Sequence, residues 1–249
     1  MKKLCILATL SVLSAPVWAG DVEGGLPASL TWSQRVELAP SVSGVVESVW
    51  VEAGQTVAAG ALLLRLNPAL YQARSQEAQA ERDRLAVESQ DAEADFNRAK
   101  ELYARTVSST TEFDAARLRH ARVTQALAGA EARLAAANRQ LSETEIRAPF
   151  AARVLERRAE PGMAAPANCQ PPVLLVIARA DERIARATVS AGQAARIHWG
   201  DRLTVDVDGK PMAATVRGLT ALPDGAYRVD AALQTTLLPG QGAISMRLR

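Results

Sequence analysis

Residues 43–66 read SGVVESVWVEAGQTVAAGALLLRL, and their pattern is the first indication of the fold. Apolar and polar residues alternate before a leucine-rich close, which is typical of short β-strands with one buried face. Gly54 and Gly60 stand where tight turns need a positive φ or a close backbone approach. Because Asn67-Pro68 ends the pattern, residues 36–67 are predicted as a run of short strands.

The next interval has the composition of long helices. Between Pro68 and Glu145 the sequence contains no further proline and one glycine, Gly129. Apolar side chains recur every seven residues at Tyr71, Ala78, Leu85, Ala92 and Ala99, and again at Phe113, His120, Leu127, Leu134 and Leu141. The second series has a full coiled-coil seam and the first is a weaker match.

A hydroxyl-rich interruption, TVSSTT at residues 106–111, separates the two helical series. Ser109 or Thr110 can cap the second helix. A short break between two long helices with matching seams predicts an antiparallel hairpin over residues 68–145. At 1.5 Å per residue, arms of about 35 residues would each reach roughly 50 Å.

The segment after the hairpin repeats the opening design. Residues 143–178 read ETEIRAPFAARVLERRAEPGMAAPANCQPPVLLVIA, and their Glu160-Pro161-Gly162 corresponds to Glu52-Ala53-Gly54. Two half-motifs flank one hairpin. We therefore predict one β-domain, built from residues 36–67 and 146–180, that the hairpin splits.

This arrangement resembles the periplasmic adaptor, or membrane-fusion, proteins of the HlyD-like superfamily, and among them the adaptors of resistance-nodulation-division efflux pumps. The paired half-motifs and the junction TEIRAPF at residues 144–150 carry the resemblance, which covers residues 36–178. It implies a mainly β fold with a long α-helical coiled-coil hairpin, a split lipoyl-like barrel-sandwich hybrid and a small β-barrel. The strand-like residues 181–249 would form that barrel, with the membrane-proximal domain of such adaptors absent or minimal.

The resemblance also implies function and partners. Such adaptors bridge an inner-membrane transporter, driven by protons or by ATP, to a TolC-type outer-membrane channel, and they serve transmembrane transport. We therefore expect a subunit of a tripartite efflux or export system that self-associates into a ring. We expect no catalysis by this chain.

The hairpin tip, defined as residues 98–114, carries the candidate docking residues. Arg98, Leu102 and Ser109 match the Arg-x3-Leu-x6-Ser signature of adaptors that dock on TolC-type channels. Guanidinium donors, an apolar side chain and a hydroxyl suit contacts between helical hairpins. In the alternative, Arg98 is a solvated charge on the helix face, Leu102 is a seam residue, and Ser109 is only an N-cap. The tip departs from the usual pattern because Arg105-Thr106 replaces a glycine before the turn.

Two other functions remain open. A lipoyl or biotinyl carrier needs a lysine at an exposed β-turn to form the amide with its cofactor. The lysines of the chain are Lys2, Lys3, Lys100 and Lys210, so neither half-motif contains one. A stand-alone periplasmic coiled-coil scaffold is the second alternative.

Composition excludes several classes of partner and site. The net charge of +2 gives no indication of a nucleic-acid partner. Once the N-terminal segment is removed, Cys169 is the single thiol, so neither an internal disulfide nor a cysteine metal cluster is expected. His120 lies on the seam and His198 in a connector, and we expect no metal and no cofactor.

The N-terminal residues 1–19, MKKLCILATLSVLSAPVWA, predict a secretory signal peptide. Lys2 and Lys3 precede an apolar run, and the segment closes on small residues suited to cleavage after Ala19. The expected location is the periplasm of a Gram-negative bacterium, with association to the inner membrane through the transporter. An uncleaved anchor is the alternative, although the apolar run is shorter than the roughly 20 residues of a membrane span.

Overall fold

The computed structural model describes residues 25–168, 170–241 and 243–247. The predicted signal peptide lies outside these described residues. The chain divides into two compact units. The sandwich unit comprises Trp32–Glu182, and the barrel unit combines the described residues up to Thr31 with those from Arg183 onward.

Short strands surround two long helices and then continue to the C-terminal side. The elements in chain order are β1 (Leu26–Trp32), β2 (Val36–Leu38), β3 (Gly44–Val49), β4 (Thr56–Val57), β5 (Leu62–Leu66), α1 (Ala69–Ala104), α2 (Thr110–Ser142), β6 (Glu145–Arg147), β7 (Ala152–Arg157), β8 (Ala164–Ala165), β9 (Leu175–Arg179), β10 (Glu182–Val189), α3 (Ala191–Ala194), β11 (Arg202–Val207), β12 (Lys210–Ala221), β13 (Tyr227–Gln234) and β14 (Ile244–Arg247). The fold is mainly β, with the two long helices inserted between β5 and β6.

The sandwich unit contains two four-stranded antiparallel sheets, in the orders β2-β9-β7-β4 and β6-β5-β3-β8. Each sheet takes strands from both sides of the helical insertion. Neither half-motif can therefore form a complete sheet alone, and the two halves depend on each other for their edges and their core.

The two half-motifs occupy equivalent positions and exchange the same hydrogen bond. The backbone N–H of Gly54 donates to the carbonyl oxygen of Val154, and the N–H of Gly162 donates to that of Val46, both at 2.8 Å. The two glycines have φ values of +92° and +88°. This left-handed conformation is open to glycine at little cost and explains why each half-motif carries glycine at this turn.

The core of the sandwich unit consists of apolar side chains from both halves. Leu63, Leu64 and Leu66 of the first half and Leu174–Ile177 of the second are fully buried. Successive residues of β5 and β9 are buried, so the alternation of buried and exposed side chains that is usual in a strand with one solvent face is lost there.

Helices α1 and α2, of 36 and 33 residues, form an antiparallel pair. At their base, the N–H of Leu66 donates to the carbonyl oxygen of Thr144 at 2.8 Å. The Tyr71 hydroxyl also donates to the Ser43 carbonyl oxygen at 2.7 Å, which fixes the first turn of α1 to the sandwich. Among the described residues, no helix has both the length and the apolar character required to cross a membrane.

The barrel unit is a closed barrel of six strands in the order β1-β10-β13-β12-β11-β14. Its core is formed by inward-facing apolar side chains, among them Val205, Val216 and Met246. Strand β1 belongs to this barrel although it precedes the sandwich in sequence, and Leu30 packs into the core. The sequence pattern predicts barrel strands in residues 181–249 alone, so β1 (Leu26–Trp32) is a strand of the barrel that the pattern does not predict.

Candidate functional site

Helix α1 ends in a Schellman motif. The N–H of Val107 donates to the Leu102 carbonyl oxygen at 3.0 Å, and the N–H of Thr106 donates to that of Tyr103 at 2.9 Å. Thr106 has a φ of +59°, in the left-handed region that this motif usually fills with glycine. The missing glycine noted in the sequence is therefore replaced by a β-branched residue in a strained conformation.

Helix α2 begins with a capping box. The Ser109 hydroxyl oxygen accepts from the N–H of Glu112 at 3.2 Å, and the Glu112 carboxylate accepts from the N–H of Ser109 at 3.0 Å. The Ser108 hydroxyl also donates to this carboxylate at 3.0 Å. The Ser109 backbone bond and then the serine hydroxyls lower the pKa of Glu112. Ser109 is thus the N-cap, one of the two residues proposed for it.

A column of aromatic rings joins the two arms immediately behind the turn. Tyr103 of α1 stacks on Phe113 of α2 with 5.1 Å between the ring centroids. Phe113 also contacts Phe96 at 5.8 Å, and Phe96 stacks on His120 at 5.4 Å. Phe113 and His120 occupy seam positions predicted from the sequence, and His120 serves here as a packing residue.

An ion-pair network lies beside this column. The Arg98 guanidinium donates to the Asp95 carboxylate at 3.1 Å, one turn earlier on α1. Asp95 also accepts from Arg119 of α2 at 3.0 Å and so joins the two helices. The Arg98 side chain is still 70% exposed, so its guanidinium is oriented by Asp95 while remaining open to solvent.

Apolar side chains are exposed at the end of the hairpin. Val107 is 73% exposed and Leu102 is 40% exposed, and their backbones are joined by the bond that closes α1. Val107 is not part of the predicted signature. Its signal in the sequence is its apolar side chain within the otherwise hydroxyl-rich stretch 106–111.

The three predicted docking residues all lie in the hairpin tip. Arg98 and Leu102 are one helical turn apart on α1, and Ser109 starts α2 after the turn. The hydroxyl oxygen of Ser109 is occupied as the helix cap. The geometry thus presents the oriented Arg98 guanidinium and the side chains of Leu102, Tyr103 and Val107 to solvent.

Comparison with known proteins identifies the family of this chain. Residues 34–196 match the family model described as the barrel-sandwich hybrid domain of RND membrane fusion proteins. The nodulation protein NolF of Rhizobium meliloti is 28% identical over 183 residues, which are 74% of this chain and 49% of NolF. The uncharacterized protein YdhJ of Escherichia coli is 32% identical over 117 residues, or 47% of this chain and 41% of YdhJ. The chain spans about half the length of these curated relatives.

Solved structures share the fold. The membrane fusion protein Spr0693 of Streptococcus pneumoniae aligns with a TM-score of 0.65 and 14% identity, covering 90% of this chain and 97% of that one. A MacA-MexA chimera that contains the Pseudomonas aeruginosa MexA α-hairpin aligns with a TM-score of 0.64 and 22% identity, covering 89% and 78%. Because the family match extends over more than half of the chain, the protein belongs to the RND membrane fusion proteins, the adaptor family of efflux systems, and contains their barrel-sandwich hybrid domain.

Proposed function

We propose that the protein is a periplasmic adaptor subunit that bridges an inner-membrane transporter to a TolC-type outer-membrane channel. The observation that carries the proposal is the hairpin tip. Two exposed apolar side chains, Leu102 and Val107, stand at the end of a long helical pair inserted in a membrane-fusion domain. Exposed apolar residues on a rigid support are typical of docking surfaces.

Each tip residue has a physical role in the proposed contact. Leu102 and Val107 would fill an apolar groove between helices of the channel, where their exposed surface is removed from water. Arg98 would donate to carbonyl or carboxylate oxygens at the rim of that groove. Asp95 holds the Arg98 guanidinium in place, so less side-chain entropy is lost on docking.

Ser109 has a structural and a docking role in this proposal. As the N-cap it fixes the direction in which α2 leaves the turn. For a direct contact its hydroxyl proton would turn from the Glu112 carboxylate, whose pKa the hydroxyl lowers, to an oxygen of the channel.

The assembly follows from the same proposal. Copies of the chain would associate into a ring through the sandwich and barrel units, and the hairpins would form a coiled-coil tube above it. Cleavage of the signal peptide after Ala19 would release the chain into the periplasm. The transporter would supply the energy, from protons or from ATP, since the adaptor itself would carry out no catalysis.

Site-specific crosslinking tests the docking. The variant Leu102→Cys is made in a Cys169→Ser background, so that the processed chain carries one thiol. It is expressed in Gram-negative cells that also produce an RND transporter and a TolC-type channel. The matched control is Val87→Cys, which is also exposed on α1 but lies about 22 Å further from the tip along the helix. We expect an outer-membrane channel to crosslink to position 102 at least tenfold more strongly than to position 87.

The same experiment separates the alternatives. Equal crosslinking at the two positions, or none with the channel present, would contradict docking and favour a stand-alone scaffold. Intact-mass measurement of the purified protein addresses the carrier hypothesis, since a lipoyl or biotinyl group would add its mass to a lysine. We expect no such addition.

A further inference from the structure

The barrel unit exposes a tryptophan at a turn. Trp199 is 76% exposed, the highest value among the large apolar side chains of the described residues. A tryptophan buries much apolar surface when it finds a partner, and in folded proteins it is rarely left in water. Trp199 is not part of the barrel core, so packing within the barrel does not explain a tryptophan at this position.

The turn that carries Trp199 is rigid. The N–H of Asp201 donates to the His198 carbonyl oxygen at 3.2 Å, and Gly200 follows Trp199 with a φ of +91°, as in a type II turn. Two further backbone bonds fix the turn to the buried Val216 of β12. These run from Gly200 N–H to the Val216 oxygen at 3.0 Å and from Val216 N–H to the Asp201 oxygen at 2.9 Å. These hydrogen bonds hold the backbone of the turn in one conformation, and in this conformation the indole is exposed.

Three exposed arginines surround the turn. Arg196 precedes it, Arg202 begins β11 directly after it, and Arg217 follows Val216 on β12. Among the described residues, none of the three has an acidic side chain within ion-pair distance. The turn carries one carboxylate, Asp201, which accepts from the His198 N–H at 2.7 Å. The three arginines outnumber this carboxylate, so positive charge is in excess around Trp199.

We propose that the Trp199 surface, formed by Trp199, Arg196, Arg202 and Arg217, binds the anionic phospholipid headgroups of a membrane. The indole would lie at the level of the headgroups, where tryptophan is enriched in membrane proteins. Each arginine near an anionic lipid surface is expected to strengthen binding about fivefold. The inference concerns the barrel unit and does not depend on docking of the hairpin tip.

The composition of the surface favours lipid over a protein partner. Protein hot spots are clusters of residues that neighbouring contacts shield from water. Here one exposed tryptophan stands at a turn with exposed arginines before and after it, which suits insertion among lipid headgroups. The three arginines outnumber the one carboxylate of the turn, so the surface is complementary in charge to anionic lipid.

Vesicle flotation tests the proposal. The chain is expressed from Met1 and used as the cell processes it, so that every variant has the same N-terminus. It is mixed with phosphatidylcholine vesicles that contain or lack phosphatidylglycerol. We expect at least tenfold tighter binding to the anionic vesicles at ~0.15 M salt, and most of this preference should be lost at ~0.5 M because salt screens the arginines.

Two variants and their matched controls locate the contact. Trp199→Ala should weaken binding to anionic vesicles at least fivefold, whereas Trp50→Ala, which removes a half-exposed tryptophan of the sandwich unit, should not. The triple variant R196Q/R202Q/R217Q should abolish the preference for anionic vesicles. The control R122Q/R133Q/R139Q changes the net charge equally on exposed positions of α2 and should retain the preference.

Three outcomes would overturn the inference. The first is equal binding to neutral and anionic vesicles, and the second is a loss in the variants no greater than that in their controls. The third is unchanged vesicle binding by the variants together with reduced co-purification of an inner-membrane protein from cells, which would assign the Trp199 surface to a protein partner. The crosslinking result at position 102 is independent of all three outcomes.

Discussion

The ring of Tyr103 on α1 stacks on the ring of Phe113 on α2, with the centroids 5.1 Å apart and the planes inclined by 16°. This contact closes the two arms just behind the turn. Aromatic pairs of this kind stabilise a structure by about 0.5–1.5 kcal/mol beyond their area burial. The pair therefore supports the exposed Leu102 and Val107 at the end of the hairpin.

Phe113→Ala should loosen the hairpin tip. The change removes the partner of Tyr103 and Phe96 at a half-buried site, so we expect the local stability to fall by about 2 kcal/mol, less than for a fully buried phenylalanine. Hydrogen exchange of the amides in residues 98–114 measures this loss. Leu118→Ala, at an exposed position of the same helix, is the control and should change exchange little. Equal effects of the two variants would contradict a role for the aromatic column.

Thr106→Gly should stabilise the tip. Thr106 holds a φ of +59°, which costs a β-branched residue about 1–2 kcal/mol, whereas glycine adopts it freely. Part of the gain is offset because glycine also makes the unfolded chain more flexible, so the expected net gain is about 0.5–1 kcal/mol. Slower hydrogen exchange at the last turn of α1 would show it. The control Thr124→Gly, inside α2, should destabilise the helix instead. If Thr106→Gly also lowered the stability of the tip, Thr106 would not be strained.

The start of α2 should weaken in acid. Hydrogen bonds from Ser109 and Ser108 lower the pKa of Glu112 in the folded chain. A lowered folded pKa means that this stabilisation is complete above the unfolded value, near pH 4.3, and is lost as the pH falls through the folded value. Circular dichroism and hydrogen exchange at residues 109–116, recorded from about pH 6 to pH 3, should show this loss.

Glu112→Gln provides the test of that pH dependence. Glutamine cannot ionise, so the variant should be less stable at neutral pH and should lose the acid-dependent step at the start of α2. Glu93→Gln removes an exposed charge elsewhere on the hairpin and should keep the step. An unchanged step in the Glu112 variant would assign the acid response to another group.

Gly54→Ala and Gly162→Ala should destabilise the sandwich unit to a similar degree. Both glycines have a positive φ, and an added Cβ at either position meets no atom closer than 3.9 Å, so the cost is conformational and about 1–2 kcal/mol. Thermal unfolding measures it. Gly129→Ala, in α2 and with open space around it, should instead stabilise by about 0.5–1 kcal/mol. A large cost at one of the two turn glycines and none at the other would contradict their equivalence.

Local patterns in the sequence predict much of this fold. The repeated Glu-x-Gly turns at Gly54 and Gly162 identify the two halves, because the backbone conformation there requires glycine. The long interval without proline predicts the helical pair, because proline interrupts the hydrogen bonds of a helix. Strand β1 was not predicted, because Leu26–Trp32 pairs with β10 and β14, and these partners lie far away in sequence.

The candidate site was predictable in part. Arg98, Leu102 and Ser109 follow from spacing along one chain segment, and their docking role remains a prediction. The bridge from Asp95 to Arg119 depends on the register between two helices, which no local pattern specifies. The exposure of Val107 depends on how the chain turns after Thr106, and sequence spacing does not encode that direction.

The hydrogen bond between Leu66 and Thr144 allows the length of the hairpin to change without any change in the sandwich. The chain leaves the sandwich on β5 and returns on the adjacent strand β6, so the two ends of the insertion stay together whatever its length. Adding or removing seven residues in both helices would move the tip by about 10 Å and keep the seam in phase. The number of heptads in the helical pair therefore sets how far the tip stands from the sandwich.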